Sequence, residues 1–265
     1  MRGNRVQLFY LGRILLFVAV VLLAGCNGDL VIHEITPKTI VLVDALPHES
    51  FIAAQRCFSS PIFSVEQLGD DWNVSPEIIA RVKARLELDG YQVRIEKFSD
   101  QLDVKKYPFG YMVSPFQMYE SRWTPAFQKW LLELGQHQPG AVVILTTYAA
   151  SLYNEFGPYY RGYGVKASLN CLGIPPTSGH FYAHVGVNVF TYPEMMRKFF
   201  TKSPDDQCDI ALPDAVIEGI KNKTLQHEDV ARFHDLIVQL GSAQAEEELR
   251  KANVLHGAPD SCTGN

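Results

Sequence analysis

The chain lacks the motifs by which many hydrolases and nucleotide-binding proteins are recognised. It contains neither Gly-x-Ser-x-Gly nor Ser-x-x-Lys in a suitable strand-to-helix context, so nothing indicates an activated serine nucleophile. Gly-x-Gly-x-x-Gly and Gly-x-x-x-x-Gly-Lys-Ser/Thr are also missing after the first predicted strand, which removes the main support for a nucleotide site. We therefore name no catalytic residue and no cofactor.

The chain also lacks the residue spacings that are typical of metal-binding sites. No Cys-x-x-Cys pair exists, and no histidine lies close to a cysteine in sequence. His180 and His184 share a face of a predicted strand, but their α-carbons would lie roughly 13 Å apart, which favours two solvated histidines. A second polar cluster lacks His-Glu-x-x-His and is typical of an exposed helix face. Its members are His227, Glu228, Asp229, His234 and Asp235. We predict no metal.

An excess of basic residues is absent as well. The segment before Cys26 holds three of the 24 basic side chains, so 21 remain against 29 acidic ones, a net charge of about −8 after its removal. Such a balance disfavours a nucleic-acid partner. The chain also shows no internal repeat, and its length suffices for one substantial core.

No acidic side chain occurs before Asp29, and the apolar run over 14–23 follows three arginines. This pattern indicates a secretory signal, since a membrane span needs roughly 20 apolar residues. Leu23-Ala24-Gly25-Cys26 resembles the bacterial lipobox. The resemblance implies a signal peptide over 1–25, two or three acyl chains on Cys26, and a stable membrane anchor. The alternative is an ordinary signal peptide with an incidental cysteine.

The resemblance also bears on destination. In that family an aspartate after the lipidated cysteine retains the protein at the inner membrane, whereas this chain has Asn27. We therefore expect a lipid-anchored protein of the outer membrane, facing the periplasm, if the organism has such a membrane. The chain would then reach the membrane through its lipid and meet an envelope protein as partner.

Four cysteines remain after the proposed anchor: Cys57, Cys171, Cys208 and Cys262. An even number in an oxidising compartment is compatible with two disulfides in any of three connectivities. Cys171 with Cys208 is the favoured pair, because both lie in loop-like sequence around one predicted strand and helix. Buried free thiols are the alternative.

The order of predicted elements indicates an α/β fold. After a lipidated tether over 26–37, a buried strand over 39–44 precedes an irregular stretch over 45–74 and a helix that starts at Ser75-Pro76-Glu77, with the serine as cap. A strand from Tyr91, a helix from Thr124-Pro125 and a buried strand over 141–146 complete β-α-β-α-β, which predicts a parallel arrangement.

The remaining chain predicts a mixed sheet. Alternation over 165–169 and 181–190 favours antiparallel strands with one apolar face, and helices are expected over 193–200, 215–221 and 228–252. We predict a three-layer α/β sandwich with a mixed sheet, formed by a single domain over 38–255 and followed by a flexible tail over 256–265.

This element order resembles the α/β domains of periplasmic assembly factors, namely the TolB amino-terminal domain and the curli-secretion lipoprotein class. The resemblance covers roughly residues 38–195 and rests on element order alone, so it assigns no functional residue. The long segments over 45–74 and 99–122 depart from that compact pattern. The resemblance implies an assembly role in the envelope.

Residues at strand ends are the candidates for a pocket. In open α/β sheets ligands bind outside the carboxyl ends of the strands. Asp44 ends the first strand, and Thr146 and Thr147 end the third. The alternative for Asp44 is that it caps a turn.

Aromatic residues after the third strand are the candidates for an interface. The segment 146–164 has the glycines and proline of a surface loop, and tyrosine is favoured where one side is buried by a partner. The candidates are Tyr148, Tyr153, Tyr159, Tyr160, Arg161 and Tyr163. The alternative is that half of these rings fold back as a local core.

Three functions remain. The first is an interaction or assembly lipoprotein of the envelope, which a broad exposed apolar patch would indicate. The second is a binding module for a small envelope ligand, such as a glycan or peptide, which needs a concave pocket. The third is an enzyme with an unrecognised site, which would show clustered titratable groups with displaced pKa values.

Overall fold

The computed structural model describes residues 32, 34–46, 50–55, 63–69, 74–98, 125–147, 150–151, 159–160, 162–168, 178–193, 195–200 and 210–257. The chain divides into Met1–Val31 and Ile32–Asn265, and every described residue belongs to the second unit. Among these residues, no helix combines the length and the apolar character needed to cross a bilayer.

The elements are named here in chain order. The strands are β1 Thr39–Asp44, β2 Ser50–Gln55, β3 Phe63–Gly69, β4 Gln92–Lys97, β5 Ala141–Thr147, β6 Ala150–Ser151, β7 Tyr159–Tyr160, β8 Gly162–Ser168, β9 Ser178–Thr191, β10 Met196–Phe200 and β11 Ile210–Ala211. The helices are α1 Val74–Leu88, α2 Pro125–Gly135, α3 Asp214–Asn222, α4 His227–Ala231 and α5 His234–Lys251.

The main sheet is mixed, with the strand order β3-β2-β8-β9-β5-β1-β4 and with β10 and β11 also paired to β9. β1 pairs in parallel with β4 and β5, and β2 pairs in parallel with β8. The ladders of β9 with β5 and β8, and of β2 with β3, are antiparallel. β6 and β7 form a separate short ladder.

Helices cover both faces of the sheet, which gives three layers. In β5, Val143 and Leu145 join the apolar cluster formed with α1, α3 and α5, whereas Ile144 joins the cluster under α2. A strand buried on both faces requires a continuous apolar run, because successive side chains point to opposite faces. The predicted three-layer α/β fold with a mixed sheet is confirmed, as are the antiparallel strands that follow β5.

The start of α1 differs in detail from the prediction. Pro76 and Glu77 lie in its first turn, as expected. Gly90, two residues after the helix ends, has a φ of 89°, which glycine adopts without steric cost. Ser75, however, is buried inside the helix, and its hydroxyl donates to both carboxylate oxygens of Asp44 at 2.8 Å. The serine therefore ties α1 to β1.

Two other predictions are wrong. The stretch over 45–74 is not irregular throughout, because β2 and β3 form an antiparallel pair there. The segment over 193–200 is not a helix, because β10 pairs with the end of β9 through a bulge. β2, β3 and β10 have six, seven and five residues, and segments this short carry no clear period that separates helix from strand. Their strand character comes from pairing, of β2 with β3 and with the distant β8, and of β10 with the neighbouring end of β9.

The long carboxyl-terminal helix is divided. Arg232 and Phe233 separate α4 from α5, and the Phe233 ring packs on Phe181 of β9 with centroids 4.6 Å apart. β9 itself is buried on both faces over 184–190, rather than on one as expected. The apolar cluster under α1 and α5 covers the face of Val185, Val187 and Val189, and the residues on the other face are buried as well.

The folded unit starts earlier than residue 38. Ile32 and Ile35 are buried in the cluster under α1 and α5, within the segment predicted as a tether. At the other end, Val254 and Leu255 are buried in the same cluster, and the His256 amide donates to Asp89 at 2.8 Å. The end of the described chain is thus fixed to the turn after α1.

Candidate binding site

Polar side chains line one face of β9. Val185, Val187 and Val189 point into the cluster under α1 and α5, so the even-numbered positions lie on the opposite face. Phe190 on that face belongs to the cluster under α2. Asn188, His184 and Tyr182 lie on the same face, nearer the start of β9, and all three are buried. Thr146 of β5 is buried on the same face. These four residues, Thr146, Tyr182, His184 and Asn188, are called the polar stripe below.

Glycines flank the polar stripe. Gly162 lies opposite His184, Gly164 lies opposite Tyr182, and Gly186 lies opposite Thr146. No side chain rises from the sheet at these three positions. Gly162 has a φ of 72°, a left-handed conformation that glycine adopts without steric cost. On this face of the sheet, the polar side chains of the stripe therefore alternate with glycines, where the backbone is not covered by a side chain.

His184 is the stripe residue with the most perturbed titration. It is 5 % exposed, and burial, with a smaller contribution from the Lys166 charge, lowers its pKa to about 3. Its ring lies 4.7 Å from that of Tyr182, measured between centroids. His184 is therefore neutral at neutral pH, and one ring nitrogen can accept a hydrogen bond.

Asn188 carries an unused acceptor. The residue is 2 % exposed, and its Oδ1 has no hydrogen-bond donor in the described structure. Leaving a buried polar group unpaired costs about 1–3 kcal/mol, so such groups are rare in folded proteins. An incoming donor, such as a hydroxyl or an amide N–H, would satisfy it. Asn188 thus offers one acceptor for a neutral polar ligand.

The pocket candidates predicted from the sequence lie on different faces of the sheet. Thr146 belongs to the polar stripe, whereas alternation along β1 and β5 places Asp44 and Thr147 on the face of α1 and α5. Asp44 accepts the Leu46 amide at 3.1 Å in addition to the Ser75 hydroxyl, which is the geometry of a capped turn. The structure thus gives Asp44 a role in holding β1 against α1.

The interface candidates are divided as well. Tyr163 is 1 % exposed and lies in the cluster under α1 and α5, so its predicted place at the surface is wrong. Tyr159 and Tyr160 form β7, which pairs with β6. Tyr148, Tyr153 and Arg161 lie outside the described residues, as do Cys26, Cys57, Cys171, Cys208 and Cys262. The disulfide prediction therefore stays a prediction.

The first turns of α1 and α5 bring one histidine between two carboxylates. His234 Nε2 lies 3.6 Å from Glu77 Oε1, and its Nδ1 lies 3.2 Å from Asp235 Oδ1. One ligand atom from each lies within 4.8 Å of the others, a spacing that a metal ion could bridge. The positive end of a helix favours carboxylates in its first turn, which accounts for Glu77 and Asp235 without an ion. The sequence pattern placed His234 and Asp235 in one polar cluster, but it did not indicate that Glu77 of α1 lies next to them.

A pocket of about 320 Å³ lies between α3 and α4. Its charged lining consists of Glu218, Asp229 and Arg232, and Asp229 accepts the Gln226 amide at 2.9 Å. Arg232 lies over the ring of Phe233, 4.8 Å from its centroid. The pocket therefore joins acidic and basic side chains at the surface, and its charged groups have protein contacts.

The prediction that His184 is a solvated histidine is wrong, since the side chain is buried. The available signal was the run Val185-Gly186-Val187-Asn188-Val189-Phe190, in which polar residues interrupt an otherwise apolar strand. That run predicts strand structure, but it does not reveal that both faces are covered. Burial of His184 is a result of the tertiary fold, in which both faces of β9 are buried over 184–190.

Comparison of the chain with models of known protein families gives no match. A search among curated proteins also finds no similar sequence.

Proposed function

We propose that the chain is a bacterial lipoprotein, anchored to the outer membrane through lipid on Cys26, and that its α/β unit acts as an interaction or assembly factor for an envelope protein. The tetrapeptide Leu23-Ala24-Gly25-Cys26 supports the anchor. The acidic balance of the chain after Cys26 argues against a nucleic-acid partner.

The short link between anchor and fold carries the proposal. Ile32 and Ile35 already pack in the core, so residues 27–31 separate Cys26 from the first side chain that is buried among the described residues. Six Cα-to-Cα steps span about 20 Å at full extension. A lipid on Cys26 would therefore hold the whole unit at the membrane, where an envelope partner is available.

The anchor is tested by Cys26→Ser in cells grown with labelled palmitate. We expect the label to disappear and the protein to leave the membrane fraction or persist as a precursor, because serine has no thiol to accept the lipid. Cys57→Ser is the matched control and should keep both label and location. Fractionation of the unsubstituted protein checks the outer-membrane assignment. Equal labelling of the Cys26→Ser protein would refute the proposal.

A second function, a binding module for a small envelope ligand such as a glycan or peptide, is favoured by one observation. Asn188 holds a buried acceptor without a donor in the described structure, on the face of β9 that also carries the neutral His184 and the bare backbone of Gly186. Glycan hydroxyls and peptide amides are donors of the required kind. In this function the polar stripe would contact the ligand.

A further inference from the structure

The chain reaches the fold beside the turn that follows α1. Burial raises the pKa of the Tyr91 phenol most, the Asp89 charge raises it further, and Glu34 lies close enough for its charge to add a smaller increase. Lys38 Nζ stands 6.0 Å from the centroid of the same ring. Tyr91 comes directly before β4 and only three residues after Leu88, the last residue of α1.

The strands β1, β4 and β5 start at the same edge of the sheet, called the amino edge below. Thr39 pairs with Gln92, and Ile40 pairs with Ala141. α1 ends at this edge because β4 follows it after a short turn, and α5 ends there because the His256 amide bonds to Asp89. The opposite edge carries Lys97 and Thr147, where β4 and β5 end.

Leu88 is the most exposed large apolar side chain of the amino edge, at 79 % exposure. Charges around it are paired. Lys83 contacts Glu87 at 3.0 Å, and Arg85 contacts Asp89 at 3.3 Å. The turn thus presents an apolar side chain among balanced charges, so it suits an apolar partner better than a strongly charged one.

The length of the link decides which edge can face the bilayer. The link from Cys26 to Ile32 spans about 20 Å when fully extended. A strand of six residues also spans about 20 Å, so turning the opposite edge toward the membrane would need the link at full stretch. Full extension restricts the chain strongly, which costs conformational entropy. The orientation with the amino edge toward the membrane has no such cost.

We propose that the amino edge faces the lipid surface and that Leu88 contacts the membrane. This inference rests on the proposed anchor at Cys26. A leucine that enters the boundary region gains part of the free energy of complete burial. That contribution is too small to bind the unit alone, but it orients a unit that the lipid already holds.

The test replaces Leu88, in the full lipidated chain, by the photoreactive residue p-benzoyl-phenylalanine. A second protein carries the same residue at Lys97, an exposed position at the opposite edge. Both are placed in phosphatidylcholine vesicles that contain labelled lipid, because this headgroup has no net charge. We expect several-fold more lipid crosslinking at position 88 than at position 97, and little at either position when Cys26→Ser is added.

The outcomes separate the two proposals. Equal crosslinking at the two positions, more at position 97, or none at either would overturn the orientation while palmitate labelling still supports the anchor. Absence of palmitate from the unsubstituted protein would overturn both proposals. Crosslinking at position 88 that persists in the Cys26→Ser protein would show that the contact does not depend on the anchor, which contradicts the inference as stated.

Discussion

Val187 and Asn188 are neighbours in the same strand, and both are buried, yet they point into different surroundings. Val187 belongs to the large apolar cluster under α1 and α5. Asn188 lies on the other face, and its Oδ1 has no donor in the described structure. The sheet therefore uses one face of β9 for packing, and it keeps polar groups on the other face at a cost in stability.

The second face of the sheet has an apolar part and a polar part. Under α2, the apolar cluster of Phe127, Leu131, Ile144 and Phe190 covers the parallel strands and the end of β9. Farther along β9 the same face carries the polar stripe. Buried polar groups that weaken a core are commonly retained for function, and active surfaces depart from the packing rules obeyed elsewhere. We therefore expect stability from the first face and from the part of the second face under α2, and binding from the polar stripe.

The largest effect is expected for Val187→Ala. Removing two buried methyl groups and leaving a cavity should lower the free energy of unfolding by about 2–3 kcal/mol. Chemical denaturation measures it, with Leu132→Ala as control. Leu132 is largely exposed, so its change should stay within about 0.5 kcal/mol. Equal losses in the two variants would break the comparison between the faces.

A smaller effect is expected from His184 as the pH falls. Because the folded pKa is about 3 and the ordinary value is 6.5, the unfolded chain binds the proton more readily between those values. Stability is complete above about pH 6.5 and should fall by about 2 kcal/mol between pH 7 and pH 5 through this group.

The variant His184→Gln isolates that contribution. Glutamine does not titrate, so the difference in pH dependence between the two proteins removes the effect of all other groups. Urea denaturation at both pH values supplies the measurement. Parallel pH profiles would mean that His184 keeps an ordinary pKa and that the second face is wetter than the structure indicates.

The smallest effect on stability is expected for Asn188→Leu. Replacing an unpaired polar group by an apolar one of similar size should change the free energy of unfolding by no more than about 1 kcal/mol in either direction. If the polar stripe binds a ligand, peptidoglycan fragments should raise the melting temperature of the original protein but not of this variant. A loss above about 3 kcal/mol would instead show that Asn188 is bonded within the fold.

Much of the fold could be predicted, because its first half follows local rules. The continuous apolar runs of β1 and β5 indicate strands covered on both faces, and Pro76 and Pro125 mark the first turns of α1 and α2. The candidate site was less accessible. Thr146 is predicted from its place at a strand end, whereas Asn188 interrupts an apolar run without being a candidate, and His184 is assigned to solvent.

By itself, the sequence determined the β-α-β-α-β order, the strand character of β9 and the lipobox-like motif, since each depends on residues close together in the chain. The tertiary structure decided that β2 pairs in parallel with β8, that β10 is a strand, and that Ser75 bonds Asp44. It also decided that both faces of β9 are covered, which turns His184 and Asn188 into buried polar groups. The β2–β8 ladder, the Ser75–Asp44 bond and the covering of β9 depend on contacts between distant segments, whereas β10 depends on pairing with the nearby end of β9. Neither kind of contact leaves a period in the local sequence.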